Sequence, residues 1–319
     1  MKRFLGKLFT FTIIIISIFW AVNLLFIKMD KSDSDYTNKF SNIPDTLDVC
    51  NFGSSHGLFG FNYEDVQYKG YACFNFGLVS QYISYDYRLI QHYGNHIGEG
   101  TIVFIPVSYF SLFGKSEEDH DDFESKNKRY YSILSPQLIK NYDIKTNIYV
   151  NYLPVLGVDT STLIKTLIGK GPVAEDNDSK WMRVASDIDV LEDAKIACRR
   201  HMEKFMLDDN GNRILNQHEI AALYELIKYC KDKGAEPILV TTPYLSEYTE
   251  EIKNYAPDFY DEFYSVINLV TESSGVDFYD YAFDERFSNS YNLFFNSDHL
   301  NKEGARLFTN ILMDETVNQ

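Results

Sequence analysis

The sequence predicts an α/β fold: a three-layer α/β/α sandwich around a central parallel sheet, with an N-terminal transmembrane helix and an inserted cap region. Three observations predict it. Short apolar runs that end in Gly or Pro alternate with stretches of helical periodicity, which implies βαβ units and a parallel sheet covered on both faces. One run, Thr101 to Tyr109 (TIVFIPVSY), is almost continuously apolar, as a central parallel strand must be. The chain of 319 residues is 45% hydrophobic and 16% aromatic, enough for a sizeable core.

Leu8 to Ile27 contains no charged residue and matches the roughly 20 residues that span a bilayer. Lys2, Arg3 and Lys7 precede it and Asp30, Asp33 and Asp35 follow, so the positive-inside rule puts the N-terminus in the cytoplasm and the rest outside. A cleaved signal peptide is the rival reading, but the run is long for one and no A-x-A-like site follows. Residues 1–29 are therefore read as a signal anchor and 30–45, rich in Ser, Asp, Asn and Lys, as a linker. The remainder, 46–319, is read as one α/β domain.

Within it, TLDVCNF (Thr46–Phe52) and YACFNFG (Tyr71–Gly77) read as strands, followed by a helix whose stripe includes Leu78, Tyr82, Ile83, Leu89 and Ile90. Asn216 with Glu219 resembles a capping box ahead of a helix with Ile220, Leu223, Ile227 and Cys230 on its buried side, stopped by Gly234. EPILVTTPY (Glu236–Tyr244) is a strand, roughly 246–273 a helix, and GVDFYDY (Gly275–Tyr281) a last strand. Asn301 caps a final helix carrying Ala305, Phe308, Ile311 and Leu312. The segment at about 110–213 breaks this rhythm and is read as an insertion capping one sheet edge. It opens with Glu117, Glu118, Asp119, Asp121, Asp122 and Glu124, a solvated loop.

A formal net charge of −16 argues against nucleic-acid binding. Cys50, Cys73, Cys198 and Cys230 lack metal-type spacing, and no His, Cys or Asp cluster has ligand spacing, so neither metal nor cofactor is expected. Cys50 and Cys73 lie in adjacent strands, as buried thiols or as a disulfide.

The stretch CNFGSSHG (Cys50–Gly57) carries the chemistry. Its serines fall at the C-terminal end of the first strand, where parallel sheets place functional residues and where backbone N–H groups can stabilise an oxyanion. Serine needs a base, and His299 follows the last strand, so the sheet can bring it to the first strand's end. His56 is too near in sequence to serve readily and is read as a local contact. His92, His96, His120, His201 and His218 are read as surface residues.

Gly53-Ser54-Ser55 near the start and His299-Leu300-Asn301 near the end resemble the first and last blocks of the SGNH (GDSL-like) hydrolase superfamily, which has a flavodoxin-like sheet. The forms GSS and DHLNKEGARLFT resemble its membrane-anchored branch concerned with cell-envelope acylation, of the D-alanyl-lipoteichoic-acid biosynthesis type. The resemblance implies Ser55 as nucleophile, His299 as base and Gly77 as an oxyanion donor. The family's acid position is Asn296 here, so Asp298, or else Asp280 or Asp284, is left to orient the imidazole. The family's third block is not visible, and Ser108 or Tyr109 stands at that strand end.

The expected function is that of an extracytoplasmic serine esterase or acyltransferase acting on acyl esters of an envelope glycan or acylated polymer. A catalytically decayed scaffold or binding partner of a membrane O-acyltransferase is the alternative, supported by Asn296. A sugar-binding module without acyl chemistry is a third.

Overall fold

The computed structural model describes residues 1–30, 36–64, 70–114, 120–172, 177–202, 208–210 and 213–317. In chain order the helices and strands are α1 (Lys2–Met29), α2 (Tyr36–Ser41), β1 (Val49–Asn51), α3 (Ser55–Gly60), β2 (Cys73–Asn75), α4 (Ile83–Tyr93), β3 (Ile102–Pro106), α5 (Phe123–Asn127), α6 (Ile144–Asn151), α7 (Thr160–Leu167), α8 (Asn177–Trp181), α9 (Val190–Met202), α10 (Gln217–Asp232), β4 (Glu236–Thr241), α11 (Ser246–Tyr255), α12 (Phe259–Ser274), β5 (Phe278–Asp280) and α13 (Lys302–Thr316). The chain divides into two compact units, Met1–Asn42 with Glu124–Asp176, and Ile43–Phe123 with Asn177–Gln319.

The second unit is built on a five-stranded sheet in the order β2-β1-β3-β4-β5, parallel throughout. Each run read as a strand contributes one strand. All five residues of β3 are buried, which is why its sequence shows no alternation. Starting from β1 the sheet grows to β2 on one side and to β3, β4 and β5 on the other, so the direction of winding reverses between β1 and β3. That reversal opens a crevice beyond the carboxyl ends of the two strands, where ligands of open α/β sheets bind. Val49, Phe104, Val240, Phe61, Phe308 and Leu312 belong to one buried cluster joining the sheet to α13 and to Phe61 at the end of α3.

Local signals explain several boundaries. Asn301 caps α13, its side chain accepting from Gly304 N–H at 3.0 Å while Nδ2 donates to Asn292 O at 2.8 Å. Asn216 caps α10 by accepting from Glu219 N–H at 3.2 Å. The reciprocal half of the box does not form: Asn216 N–H donates to Leu112 O and Glu219 Oε2 accepts from Ser84 N–H at 2.8 Å. The single helix expected over 246–273 is two, α11 and α12, interrupted at Ala256-Pro257 because proline bars the helical conformation before it and supplies no N–H.

In the first unit α1 is 28 residues long, and it is the one described helix long and apolar enough to cross a membrane. Its last turns pack against α7 and the 3₁₀ turn Pro154–Leu156, and α6 packs on that turn as well. The stretch 30–45 is not featureless: α2 lies within it and buries Phe40, while residues 31–35 are outside the described set. The expected insertion at 110–213 divides between the units, since 124–176 groups with α1 and 177–213 with the sheet. Of the acidic run, Glu117, Glu118 and Asp119 lie outside the described residues; Asp121, Asp122 and Glu124 are exposed. All four cysteines are free thiols.

Candidate active site

Gly53 turns the chain from β1 into α3. Its φ of +105° belongs to the region that favours glycine, and a Cβ there would lie 3.2 Å from Pro106 Cβ. Its N–H donates to buried Asp86 at 2.9 Å, which pins the bend. Ser54 then caps α3 in extended conformation and Ser55 becomes the helix's first residue. The Ser55 backbone N–H is one of the first-turn donors that have no partner within the helix.

His299 is brought to Ser55 from the other end of the sequence. An antiparallel bridge between Phe294 and Leu300 closes the loop Phe295–His299 just before α13. His299 Nε2 lies 2.8 Å from Ser55 Oγ. Its Nδ1 lies 2.9 Å from Asp298 Oδ1 and 3.2 Å from Asn296 Oδ1. Asn296 also accepts from the His299 backbone N–H at 2.8 Å, so its side chain shapes the tight turn that lets the adjacent Asp298 face the imidazole. Phe295 stacks on the His299 ring at 5.3 Å and Phe59 meets it edge-on at 5.8 Å, fixing its plane.

Asp298 is buried, 2% exposed. Burial alone would raise its pKa, but the charge and hydrogen bond of His299, with His56 and His201 nearby, hold it well below the usual carboxylate range. The other two acids weighed from sequence are engaged elsewhere: Asp280 accepts from Tyr264 OH, and Asp284 pairs with Arg286.

Two histidines complete the surroundings, and both correct the sequence reading. His56 is buried and stacked on His299. Its Nδ1 lies 2.6 Å from Ser108 Oγ, and its Nε2 lies 3.5 Å from Asp298 Oδ2, long for a hydrogen bond. Burial, reinforced by the charge of His299, lowers its pKa below 6.5. His201, expected at the surface, is buried on α9, with Nδ1 2.6 Å from Tyr248 OH and Nε2 3.9 Å from Asp298 Oδ2. The signal was in the sequence: with Ala194, Ala197 and Cys198 it completes the buried stripe of α9. His56 gave no such signal, because its partners lie more than 50 residues away.

Gly77 and Ser108 are held by neighbours other than Ser55 and His299. The Gly77 N–H donates to Asn75 Oδ1 at 2.8 Å. Its glycine is demanded by packing, since a Cβ would lie 2.5 Å from Leu58 N and 2.7 Å from Gly57 C. Ser108 touches the network only through His56, and Tyr109 is buried among Tyr244, Tyr260 and Phe263.

His56, Asp298 and His299 each offer one ligand atom within 4.8 Å of the others, a set that could hold a metal ion. As arranged, both ring nitrogens of His299 are in hydrogen bonds, and the set works as a charge network around one carboxylate. Beside it a cleft of about 390 Å³ is lined by Lys180, Arg183, Arg200, Asp187, Phe295 and Asn296, among others. Chemically, the arrangement provides a hydroxyl, an imidazole nitrogen aligned on it, and a buried carboxylate at the other ring nitrogen. No protein-family model and no curated protein matches the chain.

Proposed function

We propose that the protein is a serine esterase or acyltransferase that handles acyl esters of a cell-envelope glycan or polymer through an acyl-enzyme. The observation that carries this reading is His299 standing between Ser55 Oγ at 2.8 Å and Asp298 Oδ1 at 2.9 Å. Ser55 Oγ attacks the acyl carbonyl as its proton passes to His299 Nε2. The tetrahedral oxyanion is held by the Ser55 backbone N–H. On collapse the C–O bond to the alcohol breaks, and the alcohol leaves with the proton from His299 Nε2. Water or an acceptor hydroxyl, deprotonated by the same nitrogen, then attacks the acyl-enzyme, the acyl bond to Ser55 Oγ breaks, and Oγ takes the proton back from His299 Nε2.

Asp298 holds the imidazole in the tautomer with its proton on Nδ1 and stabilises the imidazolium; this answers the absence of a carboxylate at 296. The reading includes a flavodoxin-like three-layer sandwich, supported by α3 and α13 packing together on one side of the chemistry and by α10 packing on both β4 and α4. It also includes anchoring by α1 with the sheet unit outside the cytoplasm, supported by the charge bias around Leu8–Ile27. The polar cleft beside Asn296, lined by three cations and the two carboxylates Asp187 and Asp193, suits a hydrophilic acceptor better than a lipid. A membrane O-acyltransferase as donor of the acyl group fits an anchored enzyme.

The test is turnover of p-nitrophenyl acetate by the full chain in detergent. The account expects hydrolysis that persists in EDTA and falls by about 10³-fold or more in both Ser55→Ala and His299→Gln. Equal turnover in wild type and Ser55→Ala would sink it.

A further inference from the structure

We infer that α6, α7 and the turn between them form a second membrane contact, lying in the interfacial layer of the bilayer that α1 crosses. The inference rests on the proposed spanning role of α1. It starts from Asn23, a polar residue inside the apolar run Leu8–Ile27 and fully buried. Asn23 Nδ2 donates to Tyr152 O at 2.9 Å, and its Oδ1 accepts from Val155 N–H at 3.4 Å. Both halves of the amide are thus spent on the backbone of 152–155, and Phe26 is buried one turn on.

This clamp sets a depth. Asn23 lies four residues before the end of the apolar run, so at 1.5 Å per residue its level is about 6 Å inside that end. Tyr152 and Val155 share the level. Interfacial helices sit about 5–10 Å into the boundary between headgroups and chains. A segment held there meets lipid unless something else covers it.

The side chains offered are those lipid takes. Ile144 and Ile148 on α6 and Tyr152 just after it recur every four residues, and all three are exposed, Ile144 at 68% and Tyr152 at 62%. Leu156 on the turn, Ile164 on α7 and Ile168 just after it are exposed at 50%, 53% and 60%. Large aliphatic side chains at helical spacing are ordinary on a buried face and costly in water. Lys145, Lys165 and Lys170 flank these stripes and are exposed, with stems long enough to reach the headgroup level.

The charge distribution agrees. Residues 28–42 and 124–176 hold 10 Lys and Arg against 8 Asp and Glu, whereas residues 43–123 and 177–319 hold 17 against 38. The part of the chain placed at the bilayer is the part freed of the acidic excess that a phospholipid surface would repel.

The experiment reconstitutes the full chain in nanodiscs of phosphatidylcholine and phosphatidylglycerol doped with a phospholipid bearing a diazirine high on its acyl chain. After irradiation, adducts are mapped by peptide mass spectrometry. Adducts on 144–156 and 160–168 as well as on α1 are expected. Ile148→Asp with Ile164→Asp should cut those on the two segments by about tenfold, leaving α1 adducts and p-nitrophenyl acetate turnover unchanged. Ile148→Ser with Ile164→Ser should act in the same direction if the aspartates disturb folding. Adducts on α1 alone would overturn the inference while leaving α1 as a span, and would turn attention to a protein covering the two stripes. No adducts on α1 would overturn the spanning reading along with it.

Discussion

His56 stacks on His299 with ring centroids 4.6 Å apart and planes 25° from parallel, so the histidine next to Ser55 in sequence lies behind the imidazole that reaches Ser55 in space. The two rings bracket Asp298: His299 Nδ1 is 2.9 Å from one carboxylate oxygen and His56 Nε2 is 3.5 Å from the other. One buried carboxylate therefore lies between two imidazoles, of which one reaches Ser55.

The roles of Asp298 and Asn296 are separable by substitution. Asp298→Asn keeps the size but removes the charge that favours imidazolium and permits the wrong tautomer, so kcat should fall about 10³- to 10⁴-fold. Asn296→Ala removes only a neutral partner 3.2 Å from Nδ1 and a turn contact, and should cost about tenfold or less. Esterase kinetics on both variants decide the point; a larger loss in Asn296→Ala would reassign the orienting group.

Stability should fall on mild acidification. His56 in the folded protein has its pKa held below 6.5 by burial, so between that lowered value and 6.5 the unfolded chain binds more protons than the folded one. Its contribution is complete above 6.5 and is lost as pH drops. Asp298 shifts the other way relative to its charge: its lowered pKa stabilises the fold above 3.8, and this is lost only in stronger acid. Thermal unfolding from about pH 8 to 5 should show a declining Tm in wild type and a shallower decline in His56→Gln; identical slopes would remove His56 from the account.

Gly77 tests packing against chemistry. Gly77→Ala places a methyl against the backbone of Gly57 and Leu58, which cannot rotate away, and should cost about 1–3 kcal/mol of stability. Gly98→Ala, where nothing lies within 4 Å, should change little. Denaturant midpoints compare them. A Gly77→Ala protein of unchanged stability but lost turnover would return Gly77 to the reaction itself.

The sheet was legible because its signals are local: β3 announces itself by unbroken apolar residues, and Asn216 and Asn301 by cap chemistry at helix starts. Ser55 and His299 were legible from their places at strand and helix ends, which a parallel sheet gathers on one edge. What the sequence hid depends on geometry that no spacing encodes. Asp298 was one of three acids left open for His299, and the turn that selects it, in which Asn296 accepts from the His299 N–H, is not written in the spacing. The N–H of Gly77 is diverted by an asparagine two residues back. His201 carried a local signal, the stripe it shares with Ala194, Ala197 and Cys198, but it lay in a segment read as an insertion, whereas α9 packs against α11 of the sheet unit.

The most direct test of the central claim is intact-mass spectrometry of the full chain after treatment with a fluorophosphonate. The account predicts a single adduct, located on Ser55 by peptide mapping, absent from Ser55→Ala and slowed about 10³-fold or more in His299→Gln. Adduct formation at the same rate in His299→Gln, or none in the wild-type protein, would contradict it.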